Sequence, residues 1–94
     1  MKPKALVHAR DDWVAVATDD ISNGEDFAAL DMDDSKKSRT VQSRGDILLG
    51  HKIALKDISK GDHVIEYGEV IGVATRDISS GEHVHTHNLK SLRW

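Results

Sequence analysis

A chain of 94 residues with a formal net charge of −3 and no cysteine can build one modest core as a single domain over 1–94, but cannot by itself enclose a deep pocket. The missing thiols exclude disulfides, thiolate catalysis, iron–sulfur clusters and cysteine-type zinc sites, so any metal must be held by His, Asn, Asp, Glu or water. There is no basic footprint for nucleic acid, because the basic run Lys36-Lys37-Ser38-Arg39 follows the acidic Asp31-Met32-Asp33-Asp34 after one serine, and no apolar stretch approaches the ~20 residues of a membrane span.

The start, Met1-Lys2-Pro3-Lys4, is basic like a signal peptide, but Asp11 and Asp12 interrupt the chain before an apolar region of sufficient length. A cytoplasmic protein without a membrane partner is therefore expected. Residues 5–8 and 13–18 read as short strands joined by the charged Arg10-Asp11-Asp12 turn, with Val14 and Val16 alternating. Residues 31–39 are almost wholly charged or small, and predict an exposed loop or hairpin tip. Strand-like segments follow at 51–55, 63–67, 70–75 and 83–88, separated by turns that contain Gly61, Gly68 and Gly81. No window sustains a helical period. The tail 89–94 ends on Trp94, an aromatic that a monomer would leave in water, so contact with a partner or a second copy of the chain is compatible with it.

One phrase recurs three times, over residues 16–27, 53–64 and 73–84. In each, an alternating apolar run leads into Asp-Ile-Ser-X-Gly: Asp20 to Gly24, Asp57 to Gly61 and Asp77 to Gly81. Asp or Ser can bond nearby backbone amides there, and Gly accepts φ > 0. Ile21, Ile58 and Ile78 are the expected buried plugs beneath the three turns. The copies are unequally spaced, which argues against a stacked solenoid and for a compact β domain that uses one corner repeatedly. The shared context of Asp20, Asp57 and Asp77 reads as turn chemistry rather than catalysis.

Histidine carries the remaining chemistry. His83, His85 and His87 alternate, so on a strand their side chains project from one face and could converge on a divalent cation. His83 is the weakest of the three, since Asp26 and His63 hold the same repeat position; His85, His87 and Asn88 lie beyond the repeat and are not explained by it. Gly50-His51-Lys52 offers a backbone that a ligand can approach, an imidazole and an ammonium, a combination suited to carboxylate or polyol recognition. Solvated polar residues at a strand start are the plainer reading of that pair, and a structural histidine is the plainer reading of His8.

These residues, taken with Asp11, Val14-Ala15-Val16, Ile53 to Ile58, Val64-Ile65-Glu66-Tyr67-Gly68, Ile71-Gly72 and Gly81 to Asn88, resemble the N-terminal SAF domain of altronate and galactarate dehydratases over nearly the whole chain. The resemblance implies a mainly β fold, the β-clip, in which a bent long hairpin with short turns folds back on itself. In that family the domain is fused to a large catalytic body or encoded as the small subunit of a two-component lyase, and a chain running from Met1 to Trp94 resembles the second arrangement. The small subunit of (2R)-sulfolactate sulfo-lyase is similar as well: Asp11-Asp12, Met32-Asp33 and the ending from Asn88 lean toward it, whereas Gly68 to Gly72 leans toward altronate-type dehydratases. The 31–39 segment is more polar than the family pattern.

What the resemblance implies is a hydro-lyase subunit, inactive without its large subunit, that acts on a sugar acid or a sulfonated hydroxy acid with a divalent metal, iron above others. His8, His51 and Lys52 would bind substrate, His85, His87 and Asn88 would serve the metal, and the catalytic base would lie on the large subunit. The rival from another class is a non-catalytic SAF-type binding module. An ice-binding version would need a regular threonine array, which Thr18, Thr40, Thr75 and Thr86 do not make.

Overall fold

A computed structural model describes residues 1–34 and 36–92; Trp94 and its expected contact lie outside them. The described residues form nine strands and no helix: β1 (Pro3–Val7), β2 (Val14–Ala17), β3 (Asp26–Asp31), β4 (Ser38–Gln42), β5 (Lys52–Ala54), β6 (His63–Glu66), β7 (Glu69–Ala74), β8 (His83–Val84) and β9 (Leu89–Ser91). The mainly β expectation holds. Six strands make one curled sheet in the order β4-β3-β1-β2-β5-β8, and β6-β7-β9 make a second. The two are stitched where Trp13 N–H donates to the Ile65 carbonyl and Leu55 N–H donates to the Trp13 carbonyl, both at 2.9 Å. Among the described residues no helix is long and apolar enough to cross a membrane.

Alternation along β2 and β5 divides the interior into two cores. Ala15, Ala17 and Ile53 face one, with Val7, Ile21, Phe27, Val41 and Ile47; Val14 and Ala54 face the other, with Ile58, Val64, Ala74, Ile78 and Val84. Successive side chains of a strand point to opposite faces, so a short strand buried on both sides serves both cores. In the first core Ala5 lies across from Ala17 on one side and Ala29 on the other. Those small side chains leave room for Phe27, which is fully buried. Within the segment expected to be exposed at 31–39, β3 runs through Asp31 and β4, paired with it, begins at Ser38; the described residues between them, 32–34 and 36–37, are exposed.

Ile21, Ile58 and Ile78 are buried as the repeat predicts. The structure adds a fourth copy of the corner, Asp46-Ile47-Leu48-Leu49-Gly50, so the corner is used four times rather than three. Ile21 and Ile47 exchange N–H···O bonds at 2.8 Å each, and Ile58 and Ile78 exchange them at 2.7 and 2.8 Å. All four turns end on a glycine of positive φ, between 81° and 92°. The fourth copy was hidden because two leucines replace its polar turn residues; both are exposed.

Candidate functional site

The fourth corner also differs in the residue after its glycine. In the other three that residue is Glu25, Asp62 or Glu82, and its carboxylate accepts the N–H of Ser22, Ser59 or Ser79 at 3.0, 2.9 and 3.2 Å. In the fourth it is His51. Its imidazole is not engaged in its own turn and instead meets His83, Nδ1 to Nε2, at 2.8 Å. Strand pairing explains the meeting. β5 and β8 are antiparallel with Lys52 across from Val84 and Ile53 across from His83, so His51 and His85 flank the end of this short ladder, their ring centroids 5.5 Å apart, and His83 is the diagonal neighbour of His51.

The strand expected over 83–88 stops at Val84. Residues 85–88 turn back instead, with Asn88 N–H donating to the His85 carbonyl at 3.1 Å. The histidines are thus grouped by a strand end and a turn, not by alternation. Asn88 builds that turn: it is fully buried, its Oδ1 accepts the His85 N–H at 2.9 Å and its Nδ2 donates to the His83 carbonyl at 2.8 Å. Both polar ends of its amide therefore bond to backbone. His85 stacks on His83 with ring centroids 5.5 Å apart, and His87 is tilted against His83 at 5.4 Å.

One nitrogen from each of His51, His83 and His85 lies within 4.8 Å of the others. Nitrogens around a single transition metal, at ~2.0–2.1 Å from it, stand about 3–4 Å apart, so modest side-chain rotation would suffice to bring all three onto one ion. Burial holds the His83 imidazole below the ordinary histidine range, and charge on His51, His87 and His85 would lower it further. A neutral imidazole keeps the lone pair that a cation needs. The donor set suits a first-row divalent ion.

Lys52 projects beside this cluster and borders three depressions. One of about 480 Å³ is lined by Lys52, His85, Thr86 and Lys90 over an apolar floor of Val84 and Leu89. A second brings Lys52 together with Gly50, His51 and His85, and a third with Glu66, Tyr67 and Ile71. His8 reaches the same region less directly: its Nδ1 is 3.5 Å from the Glu66 carboxylate, whose other oxygen is 3.7 Å from Lys52 Nζ. The structure therefore unites His51, Lys52 and His85 closely and joins His8 through Glu66. His87 lies at the cluster's margin. Sequence reasoning undervalued His83, whose repeat position is solvated at Asp26 and His63, and passed over Glu66; a carboxylate in the inward alternation of Val64 and Glu66 was the available signal.

The model of the altronate/galactarate dehydratase SAF domain matches residues 3–92. Altronate dehydratase of Escherichia coli (strain K12) is 45% identical over 85 residues, which are 90% of this chain but 16% of that protein. The (2R)-sulfolactate sulfo-lyase subunit alpha of Chromohalobacter salexigens is 37% identical over 92 residues, 95% of each chain. The corresponding subunit of Paracoccus pantotrophus is 52% identical over 52 residues, 55% of this chain and 78% of that one. The chain thus spans a small fraction of the altronate dehydratase and nearly all of the Chromohalobacter subunit. With its all-β corners and its Gly-His-Lys and His-X-His-Asn segments in place, the chain belongs to the altronate/galactarate dehydratase SAF-domain family.

Proposed function

We propose that the chain is the small subunit of a two-component hydroxy-acid lyase of the altronate dehydratase kind, acting in the cytoplasm and completed by a large catalytic subunit. The observation that carries this reading is the meeting of His51, His83 and His85 at the end of the strand that bears Lys52. Elimination from a hydroxy acid removes the proton α to a carboxylate and expels a group from the next carbon, so negative charge builds on the carboxylate in the transition state. Lys52 supplies a fixed positive charge for that carboxylate, and His51 lines the same depression. A divalent cation, iron in this reading, supplies Lewis acidity toward the carboxylate or the leaving group when bound.

The proton-abstracting base is assigned to the large subunit, because the depressions around Lys52 are open-sided and exclude little water. Leu48 and Leu49 support such a partner: they are 60% and 62% exposed on the corner that leads into His51, where the other three corners carry polar residues. A second reading, the alpha subunit of a (2R)-sulfolactate sulfo-lyase, is favoured by the end-to-end match with the Chromohalobacter subunit. It uses the same residues, with sulfite leaving in place of water.

The test combines the purified chain with its large subunit and follows dehydration of altronate and sulfite release from (2R)-sulfolactate, together with metal content. Turnover of one substrate is expected from the mixture only, lost on chelation and restored by ferrous iron. Turnover by the chain alone would refute the subunit assignment, and a mixture inert toward both substrates would favour a binding module.

A further inference from the structure

Glu66 closes β6 with its side chain directed inward, beside Val64, and is only 5% exposed. A buried carboxylate is unfavourable unless cations neutralise it. Lys52, opening β5, brings its ammonium to 3.7 Å from one oxygen, and the His8 imidazole, following β1, stands 3.5 Å from the other. His8 Nδ1 is shut off from solvent and has no hydrogen-bond partner among the described residues, which leaves the carboxylate as its polar neighbour. The His8 ring lies flat against Tyr67, with centroids 4.2 Å apart and planes within 10°. Tyr67 is itself held at φ 57° in the Tyr67-Gly68 turn, whose Gly68 N–H donates to buried Asp12 at 3.3 Å.

Glu66 is buried against His8, while the Lys52 side chain keeps 38% exposure and borders three depressions. A lysine has a flexible four-carbon stem and is a poor fixed charge unless something holds its ammonium. We propose that Glu66 is a positioning residue: its buried carboxylate, braced by the His8–Tyr67 stack, holds the Lys52 ammonium where the histidine cluster meets the groove. This rests on the reading of Lys52 as the anchor for a substrate carboxylate, and it assigns Glu66 and His8 to the support of that anchor.

Glu66→Gln keeps the size of the side chain and removes its charge. In the full chain without any partner, side-chain NMR relaxation is expected to show Lys52 ordered in the wild type and as mobile as exposed Lys60 in the variant. His8→Gln is expected to loosen Lys52 by a smaller amount. In the assembled lyase, Glu66→Gln is expected to raise KM about tenfold, the loss of one charge-assisted contact, with a smaller change in kcat. Glu66→Asp should recover part of the KM. Unchanged Lys52 order in folded Glu66→Gln, or in His8→Gln should the first variant not fold, overturns the proposal, as does an unchanged KM. The relaxation measurement needs neither substrate nor large subunit, so failure of the lyase reading is separable from failure of the positioning role.

Discussion

Asp57 and Asp77 hold each other's corners: Asp57 Oδ1 accepts the N–H of Ser80, and Asp77 Oδ1 accepts the N–H of Lys60, both at 2.9 Å. Asp20 and Asp46 do the same, with Leu49 and Asn23 as donors at 2.9 Å. Each aspartate thus satisfies an amide of the facing turn rather than of its own, and the exchange frames each isoleucine pair. Replacing Asp57 or Asp77 by Ala is expected to cost about 1 kcal/mol, the usual worth of such a bond. Asp46→Ala should cost the same although its corner lacks the serine. Urea unfolding of the three variants measures this, and an Asp46→Ala chain as stable as wild type would show that the fourth corner is held differently.

Gly81 and Gly24 have the same backbone conformation in different surroundings. At Gly24 a Cβ would meet nothing within 4 Å, whereas at Gly81 it would overlap the Gln42 carbonyl oxygen, on the segment where Arg44 N–H donates to the Gly81 carbonyl. Gly24→Ala should cost about 1 kcal/mol for its positive φ, and Gly81→Ala about 2–4 kcal/mol, because a backbone oxygen must also move. Equal midpoints in thermal unfolding would contradict the close approach of the two segments.

Cobalt(II) titration of the chain by itself reads the histidine cluster. His51→Ala, His83→Ala and His85→Ala are each expected to weaken binding about tenfold or more, while His87→Ala should weaken it less, since His87 lies outside the grouped nitrogens. Equal loss from His87→Ala would move the ligand set toward the tail of the turn.

Lys4 and Glu25 form a 2.7 Å ion pair between β1 and the first corner. The hydrogen bond from Lys4, reinforced by the Ser22 amide, holds the Glu25 carboxyl below its ordinary value. A carboxyl depressed in the folded state stabilises the fold above its unfolded pKa, and that contribution is lost as pH falls through the folded value. Lys4→Met should therefore raise the Glu25 midpoint seen by NMR titration and flatten the stability profile in the acid range. A Glu25 midpoint that stays put would remove the ion pair as the cause.

His83 shows where local reading stopped. Three copies of the corner put polar residues at its position, and at Asp26 and His63 those residues are indeed exposed. What sets His83 apart is that β8 pairs with β5 in the register that brings in His51, and these strands are separated in sequence by β6 and β7. Asn88, to which the resemblance gives a metal role, also fits the inside of a tight turn as an amide with both a donor and an acceptor, and it is buried there.

By itself the sequence determined the β class, the repeated corner and its buried isoleucines, because turn chemistry and two-residue alternation are local properties of backbone and side chain. Only the tertiary structure decided that the first corner pairs with the unrecognised fourth and the second with the third. It also decided that Glu66 sits between His8 and Lys52. Both depend on which distant strands become neighbours and in what register, and a shift of one residue would send every side chain to the other face.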